Sequence, residues 1–334
     1  MAERRRLLIP GGAGYLGARL AQALADEYEV YITYRQLSPL RERWLKNTPG
    51  ISAVRFDAAS QEEIPFEIPF DAAINLAMPG AEEAQRDPDG SQRQAERIAK
   101  NLLSLKAKGL LRQLIHFSTF HVYGPDEREI FIETDEPRPK HPYAHNHLMC
   151  ERILEESGFD MLFLLRPTNI VAAPAHGDLG PQSKLLFLSL CRQMAETGSM
   201  RLDNDGLSYR DFVSFDDLLS GVRLLLSCPA APFRVVNVSA GSAYRLNDLA
   251  ELIRRAGSGE VSFGTGKDAW RRPFVVSNQR MRSLGWNPQL DLNPEIGKTL
   301  DFFGPWQGGI PPLADRPPSL GQVKRSSSVN EETS

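Results

Sequence analysis

A short apolar run, Leu7-Leu8-Ile9, meets Pro10-Gly11-Gly12-Ala13-Gly14-Tyr15-Leu16-Gly17, and beyond it Leu16, Leu20 and Leu24 recur at helical spacing. A buried strand, a glycine-rich turn and an amphipathic helix in that order constrain this chain more than any other feature. Pro10 offers no N–H to a sheet ladder, so the strand should stop there. Glycines 11, 14 and 17 suit a tight turn, close approach of a ligand, and close packing of helix on strand. Such a turn can exist without a ligand. A strand before it and a helix after it favour a pyrophosphate seated on backbone N–H groups at the helix's positive end. Gly11, Gly14, Tyr15, Leu16 and Gly17 are therefore candidate cofactor contacts.

Strand-like and helix-like stretches alternate from there. Glu29-Val30-Tyr31-Ile32-Thr33-Tyr34-Arg35 reads as a second strand. An acidic residue at its tip would accept from ribose hydroxyls and select NAD, but Arg35 stands there, with Arg41 and Arg43 downstream. A guanidinium favours a 2′-phosphate, so NADP is preferred over NAD; the alternative is Arg35 stacked on adenine or facing solvent. Val54-Arg55-Phe56-Asp57 reads as a third strand with Asp57 placed to touch the adenine. A fourth, Asp71-Ala72-Ala73-Ile74-Asn75-Leu76-Ala77, ends in small residues, so that Leu76 and Ala77 can run beside a cofactor. A helix from about Gln92 to Lys108 precedes a strand ending at Ser118. The alternation indicates an α/β fold with a doubly wound parallel sheet and a ligand across the strands' carboxyl ends.

That last strand, Leu114-Ile115-His116-Phe117, runs into Ser118-Thr119, and Tyr143 opens the next helix. A hydroxyl at a strand's end and a tyrosine at a helix start can point at one spot. A tyrosine that can lose its proton and a hydroxyl that can hold a substrate oxygen suit proton transfer coupled to hydride transfer.

Composition narrows the partners. Apolar residues make up 41% and charged residues 24% of the 334, near globular averages. A net charge of −3 argues against nucleic acid or an anionic membrane. Cys150, Cys191 and Cys228 are far apart, as expected of reduced thiols in a cytoplasmic protein. The basic start is followed by too few apolar residues for a signal-peptide core, and no run approaches membrane-spanning length.

The chain resembles the extended short-chain dehydrogenase/reductases of the nucleotide-sugar epimerase/dehydratase group. The resemblance is carried by the glycine-rich turn, Asn75-Leu76-Ala77, Ser118-Thr119-Phe120-His121-Val122-Tyr123-Gly124 and Pro142-Tyr143. It continues through Arg166-Pro167-Thr168-Asn169, Arg210-Asp211-Phe212-Val213-Ser214-Phe215-Asp216-Asp217 and Leu284-Gly285-Trp286-Asn287-Pro288. It implies a Rossmann-type domain holding NAD(P) over residues 4–171 with 208–238. A smaller mixed α/β lobe, over 172–207 with 239–308, would hold a nucleoside-diphosphate sugar. The family's catalytic hydroxyl and tyrosine fall on Thr119 and Tyr143, with Ser118 beside the cofactor. Relatives are commonly homodimers through the helices near 92–108 and 143–157.

Where the family carries a lysine four residues after its tyrosine, this sequence has His147. The lysine bonds the nicotinamide ribose and lowers the tyrosine's pKa. A histidine can still donate to a ribose hydroxyl, but it is charged only below about 6.5 unless perturbed. Either His147 is held protonated, or catalysis is slowed, or the proton chemistry is shared. His121, where dehydratases of the family carry a glutamate, is the candidate for sharing; their companion aspartate is Phe120 here, which disfavours 4,6-dehydration. A metal site on His141, His145 and His147 is weakly supported, because His145 and His147 point different ways on a helix.

In the carboxyl-terminal half the resemblance places Asn169 near the sugar-nucleotide phosphate, although Val171-Ala172-Ala173-Pro174 departs from the usual loop. Ser183-Lys184 is expected to open a helix through Met194, its start meeting the diphosphate; Lys184 could equally be a solvated charge. Arg210 maps to a diphosphate arginine, its alternative being a salt bridge to Asp211 or Asp216. Arg272 is the better candidate in Arg271-Arg272-Pro273. Asp216 and Asp217 suit a helix start, and Trp286, Phe302 and Phe303 suit a core. Residues 309–334, proline-rich and then polar, are expected to form a disordered tail.

These readings point to an NAD(P)-dependent oxidoreductase on a nucleotide-linked sugar, with an NADPH-using 4-ketoreductase slightly ahead of an epimerase. Thr119, Tyr143, His147 and His121 carry its chemistry. The alternative is a non-catalytic NAD(P)-binding sensor or scaffold, motivated by the missing lysine.

Overall fold

Leu7, Leu8 and Ile9 have no room for solvent on either face, and they form the centre of the molecule. In the computed structural model the described residues are 4–304, apart from 63–64, 126–127, 157, 181–183, 229–230 and 268–269. The tail expected over 309–334 lies outside them.

The chain begins β1 (Arg6–Ile9), α1 (Tyr15–Leu24), β2 (Glu29–Tyr34), α2 (Pro39–Lys46), β3 (Ile51–Arg55), β4 (Phe70–Asn75), α3 (Ala81–Arg86), α4 (Pro88–Ala107), β5 (Leu111–Phe117). A short 3-10 turn (Phe120–Tyr123) leads to β6 (Ile130–Phe131), α5 (Pro142–Glu155), β7 (Met161–Pro167), β8 (Asn169–Val171), α6 (Leu186–Thr197) and β9 (Ser199–Asn204). There follow β10 (Tyr209–Ser214), α7 (Phe215–Ser227), β11 (Val235–Val238), β12 (Ala243–Arg245) and α8 (Leu246–Gly257). The last elements are β13 (Glu260–Gly266), β14 (Val275–Val276), α9 (Gln279–Ser283) and α10 (Asn293–Phe303).

Seven strands make one parallel sheet in the order β11-β7-β5-β4-β1-β2-β3, the doubly wound Rossmann-type arrangement. The chain steps from β1 outward to β3, then returns to β4 on β1's other side. That reversal opens a crevice at the carboxyl ends of β1 and β4. Helices cover both faces, which explains the near-continuous burial of β5 and β7. One apolar layer joins Leu20 and Leu24 of α1 to Leu218 and Leu225 of α7. The other joins Ile98 and Leu102 of α4 to Leu154 of α5.

A second apolar cluster, separate from those layers, is built from α6, α8 and α10, with Met200 and Leu202 of β9. β12-β10-β8 form a small mixed sheet, and β9–β13 and β6–β14 are two-stranded parallel pairs. Trp286 belongs to the core, its indole donating to the Asp217 carbonyl (3.1 Å). Asp217 itself accepts from the backbones of Gln289 and Leu290 (2.6 and 3.0 Å), a structural tie. Among the described residues no helix is long and apolar enough to cross a membrane.

Several boundaries differ from the sequence reading for local reasons. The α4 helix starts at Pro88, ahead of Gln92, because the Asp87 carboxylate accepts from Gly90 N (2.9 Å) and proline suits a first turn. β3 is fixed by its register on β2, Val30 opposite Ile51 through Tyr34 opposite Arg55, so it ends before Asp57. The helix expected from Ser183-Lys184 begins only at Leu186. Phe302 is exposed rather than core, because α10 turns its other face to the lobe.

Two histidines are carried into the interior by these elements: His116 on β5 and His147 on α5, 0% and 3% exposed. Burial pushes His116 down to about 4 and His147 to about 3; His116 and His121 add to the depression of His147. Both folded-state values lie below that of a free imidazole, so in acid the unfolded chain binds the extra protons. Stability is therefore full above about pH 6.5 and falls as pH drops toward the folded-state values, by about 1.4 kcal/mol per pH unit per histidine. Replacing His147 with Gln should make the fall in urea midpoint between about pH 7 and about pH 4 visibly shallower. An unchanged slope would show that His147 does not couple folding to protons.

Candidate active site

The carboxyl end of β5 is tied down on two sides. Ser118 N donates to the Leu165 carbonyl of the neighbouring strand region (2.7 Å), and the Ser118 hydroxyl donates to the Glu151 carboxylate. Glu151 also receives Arg166 Nε (2.9 Å) and a terminal guanidinium nitrogen (2.5 Å), and both side chains are almost wholly buried. The Arg166 guanidinium lies over the Tyr123 ring at 4.9 Å. Glu151 stands one turn beyond His147 on α5, so the same clamp fixes strand end and helix together.

With both elements held, Thr119 and Tyr143 converge closely enough for the Thr119 side chain to act on the phenol. Burial raises the Tyr143 phenol above its ordinary pKa, and the bond to Thr119 opposes that rise. The His147 ring stands 4.5 Å from the Tyr143 ring, nearly edge-on. Among the described residues neither of its buried nitrogens completes a hydrogen bond, although the nearby Phe117 backbone favours its protonated form. The burial effect outweighs it and lowers the His147 pKa, which favours the neutral ring. His121 is exposed on the open side, 6.4 Å from the Tyr143 ring. Desolvation by the groups packed around the ring lowers its pKa, with His141 and then Arg210 contributing.

The glycine-rich turn passes a test for a dinucleotide. Gly11 has φ +76°, and a Cβ there would stand 2.9 Å from the Ala77 nitrogen, so β1's turn and the end of β4 touch backbone to backbone. A Cβ on Gly17 would stand 2.5 Å from the Gly11 carbonyl oxygen, which is the close packing of helix on turn. Gly14 is an extended N-cap without any side-chain cap, leaving the first turn of α1 open to an anion. Gly12, not singled out from sequence, packs against Ile32 of β2. The residues present fit NAD(P), and the unsatisfied His147 nitrogens lie beside the Tyr143 ring where a ribose hydroxyl could meet them.

The other candidates are placed unevenly. The Tyr15 hydroxyl donates to the Ala172 carbonyl, so its side chain ties α1 to the lobe segment, and Leu16 packs on the core. Leu76 N donates to the Pro10 carbonyl (3.0 Å), holding Leu76 and Ala77 beside the turn. Arg35 is exposed immediately after β2, and Asp57 is exposed with its carboxylate accepting from Ala59 N (2.9 Å). Asn169 donates its amide to the Asp211 carbonyl (2.9 Å). Arg210 is half-buried, donates to the Tyr209 carbonyl (2.8 Å) and lies near enough to influence His121. Lys184 does not open α6; it is exposed and pairs with Glu82 (2.8 Å). In the Arg271-Arg272 pair, Arg271 forks onto Asp205 (2.7 and 2.6 Å) while Arg272 is exposed beside it.

Phe120, where a dehydratase aspartate would stand, is buried among aromatics, stacked on Phe274 at 5.7 Å. Three features went unread in the sequence. His141 caps α5, its Nδ1 accepting from Ala144 N (3.3 Å), and an imidazole cap has no strong sequence signal. The Glu151–Arg166 pair was signalled only by an acid one turn from His147. His176 Nε2 donates to the Ala13 carbonyl (3.1 Å), and Asp178 pairs with Arg41 (3.1 Å), so the lobe segment 172–178 crosses the glycine-rich turn and reaches α2.

A UDP-glucose 4-epimerase from Streptococcus mutans is 26% identical over 91% of this chain and 97% of its own length. A trifunctional UDP-glucose 4,6-dehydratase/UDP-4-keto-6-deoxy-D-glucose 3,5-epimerase/UDP-4-keto-L-rhamnose-reductase from Arabidopsis thaliana is 21% identical over 90% of this chain. This chain spans about half of that relative, 47%. Among solved structures, a UDP-N-acetylglucosamine 4-epimerase from Methanobrevibacter ruminantium, in complex with UDP-N-acetylmuramic acid, superposes with a TM-score of 0.76. It is 18% identical, over 90% of this chain and 98% of that one, which speaks for the fold. Over residues 7–239 the sequence matches the NAD dependent epimerase/dehydratase family, and the chain belongs to that family.

Proposed function

We infer that the protein is an NAD(P)-dependent oxidoreductase acting on a nucleotide-linked sugar, as a 4-ketoreductase or epimerase. The observation that carries this reading is the approach of Thr119, just after β5, to the Tyr143 phenol, in a sheet that also carries the glycine-rich turn. Bound NAD(P) supplies the hydride donor or acceptor at a sugar carbon. Thr119 holds the sugar oxygen and Tyr143 passes it a proton. His147 orients the ribose through a neutral nitrogen and lends no charge to the phenol. Because burial keeps Tyr143 protonated at neutral pH, it serves first as a donor, which suits reduction of a ketone. Oxidation needs the phenolate and should therefore speed up as pH rises.

Arg35 supports NADP over NAD, since an exposed guanidinium at the tip of β2 can fork onto a 2′-phosphate. Arg210, close enough to His121 to influence it, is the favoured phosphate contact, with Asn169 and Arg272 as further candidates. Lys184 would have to leave Glu82 to join them. The outward residues of α4 and α5, among them Gln92, Met149, Arg152 and Ile153, line a groove that supports a homodimer through these helices.

Three measurements test these points. Purified protein with NADPH and a panel of UDP-4-keto sugars should show reduction, and Tyr143→Phe should lower kcat by about 10²–10⁴-fold. Turnover unaffected by that change removes the catalytic assignment. Arg35→Ala should raise the KM for NADPH about tenfold while sparing that for NADH, the cost of a lost charge-assisted contact; equal effects on both would point to NAD. Light scattering should give twice the chain mass, and Ile153→Glu should return it to one; a monomeric wild type ends the dimer proposal.

A further inference from the structure

The residue after Thr119 belongs to an aromatic cluster. Phe120, Phe131 and Phe274 are buried in it, and Leu148, the neighbour of His147 on α5, joins them. Trp270 lies over the cluster, its ring centre 4.8 Å from Phe274, 5.4 Å from Phe120 and 5.7 Å from Phe131. Part of the Trp270 surface stays exposed. Its backbone is left-handed, with φ +65°. A large side chain takes that conformation only where its surroundings hold it, and such positions gather at ligand clamps. Here the holding is done from both sides. The Trp270 carbonyl accepts from Tyr209 N (2.8 Å), and the next residue, Arg271, forks onto Asp205 (2.7 and 2.6 Å). Tyr209 is followed on β10 by Arg210, so the indole is indexed to the strand of the favoured phosphate contact.

We propose that Trp270 and Phe120 form the apolar side of the sugar subsite, and that the sugar edge they receive ends in a methyl group. The substrate would then be a 6-deoxy sugar on its nucleotide. This rests on the reading of the site as one that takes a keto-sugar nucleotide, and names which kind.

The chemistry follows from where the carbonyl is held. With its oxygen on Thr119 and Tyr143, the carbons on either side of it fall beside the residues that follow Thr119. For a 4-ketone these are C3, which bears a hydroxyl, and C5, which bears C6. His121 is exposed and polar and can pair with a hydroxyl. Phe120, its ring 5.9 Å from that of His121, can pair with none. A C6 hydroxyl set against Phe120 and Trp270 would give up water without a replacement, whereas a methyl loses nothing. The indole face is also negative, which attracts the C–H groups of a sugar, made positive by their oxygens. Roofing the phenylalanines would ask only for apolar bulk, and that difference can be measured.

The test titrates the full chain with two matched pairs differing only at C6, UDP-6-deoxyglucose against UDP-glucose and UDP-6-deoxygalactose against UDP-galactose. Calorimetry and tryptophan emission are read, each affinity is referred to that of UDP, and NADPH-dependent reduction of a UDP-4-keto-6-deoxyhexose is followed alongside. In at least one pair the deoxy member should bind about 10–10²-fold tighter, the discrimination an apolar pocket makes against an added hydroxyl. Its binding should change the emission of wild type and not that of Trp270→Phe, which should keep most of the preference. Trp270→Leu, which keeps bulk without a π face, should bring the pair close to parity. Parity in both pairs of wild type, with UDP binding and reduction intact, overturns the apolar subsite and leaves the reductase reading standing. A full preference in Trp270→Leu, or wild-type emission blind to the sugar, overturns the role of the indole. Absence of UDP binding and of reduction together overturns both readings.

Discussion

The site hangs on the buried ion pair between Glu151 and Arg166. Charges taken out of water are costly unless every lone pair is met, and here the carboxylate receives two guanidinium nitrogens and the Ser118 hydroxyl. Removing either partner of such a pair leaves a stranded charge, typically about 3–5 kcal/mol of lost stability. What the arrangement secures is position. Glu151 belongs to α5, Arg166 to β7, and Ser118 to the end of β5, so one contact indexes three elements. Thr119 and Tyr143 meet because their neighbours cannot slide.

Above that clamp the surroundings of Tyr143 are unusual in charge rather than in shape. A helix that carries Tyr143 and then His147 one turn later puts an imidazole where an ammonium would lower the phenol's pKa. Buried among other rings and short of partners, that imidazole stays neutral. Tyr143 accordingly has desolvation raising its pKa, with the Thr119 side chain opposing that rise. The same crowding that neutralises His147 leaves His121 and His141 as the polar groups on the open side.

Much of this was legible in the sequence, and the limits are physical. The glycine-rich turn was readable because Gly11 and Gly17 are required by backbone contacts that any side chain would break. The β7 strand, Met161–Pro167, was readable because a strand buried on both faces is an unbroken apolar run. The start of α6 was not, since Lys184 found its partner in Glu82, a residue 102 positions away in sequence. Phe302 and Phe303 are adjacent, and only packing of α10 decides which one faces out. The neutrality of His147 could be posed as a question from its spacing, but its answer is a matter of solvent exclusion by β5 and of rings brought in from elsewhere. The capping role of His141 was not legible, because capping by an imidazole depends on a local backbone geometry that residue type does not announce.

The lobe segment over the glycine-rich turn has a mechanical consequence. Ala172 holds the Tyr15 hydroxyl, His176 holds the Ala13 carbonyl, and Asp178 holds Arg41 on α2. These three fastenings sit on one short stretch of chain whose far end, at Leu179, enters the second apolar cluster. Moving that stretch away from the turn would strain all of them at once, so the cover over the glycine-rich turn and the lead-in to the second apolar cluster are one piece of polypeptide.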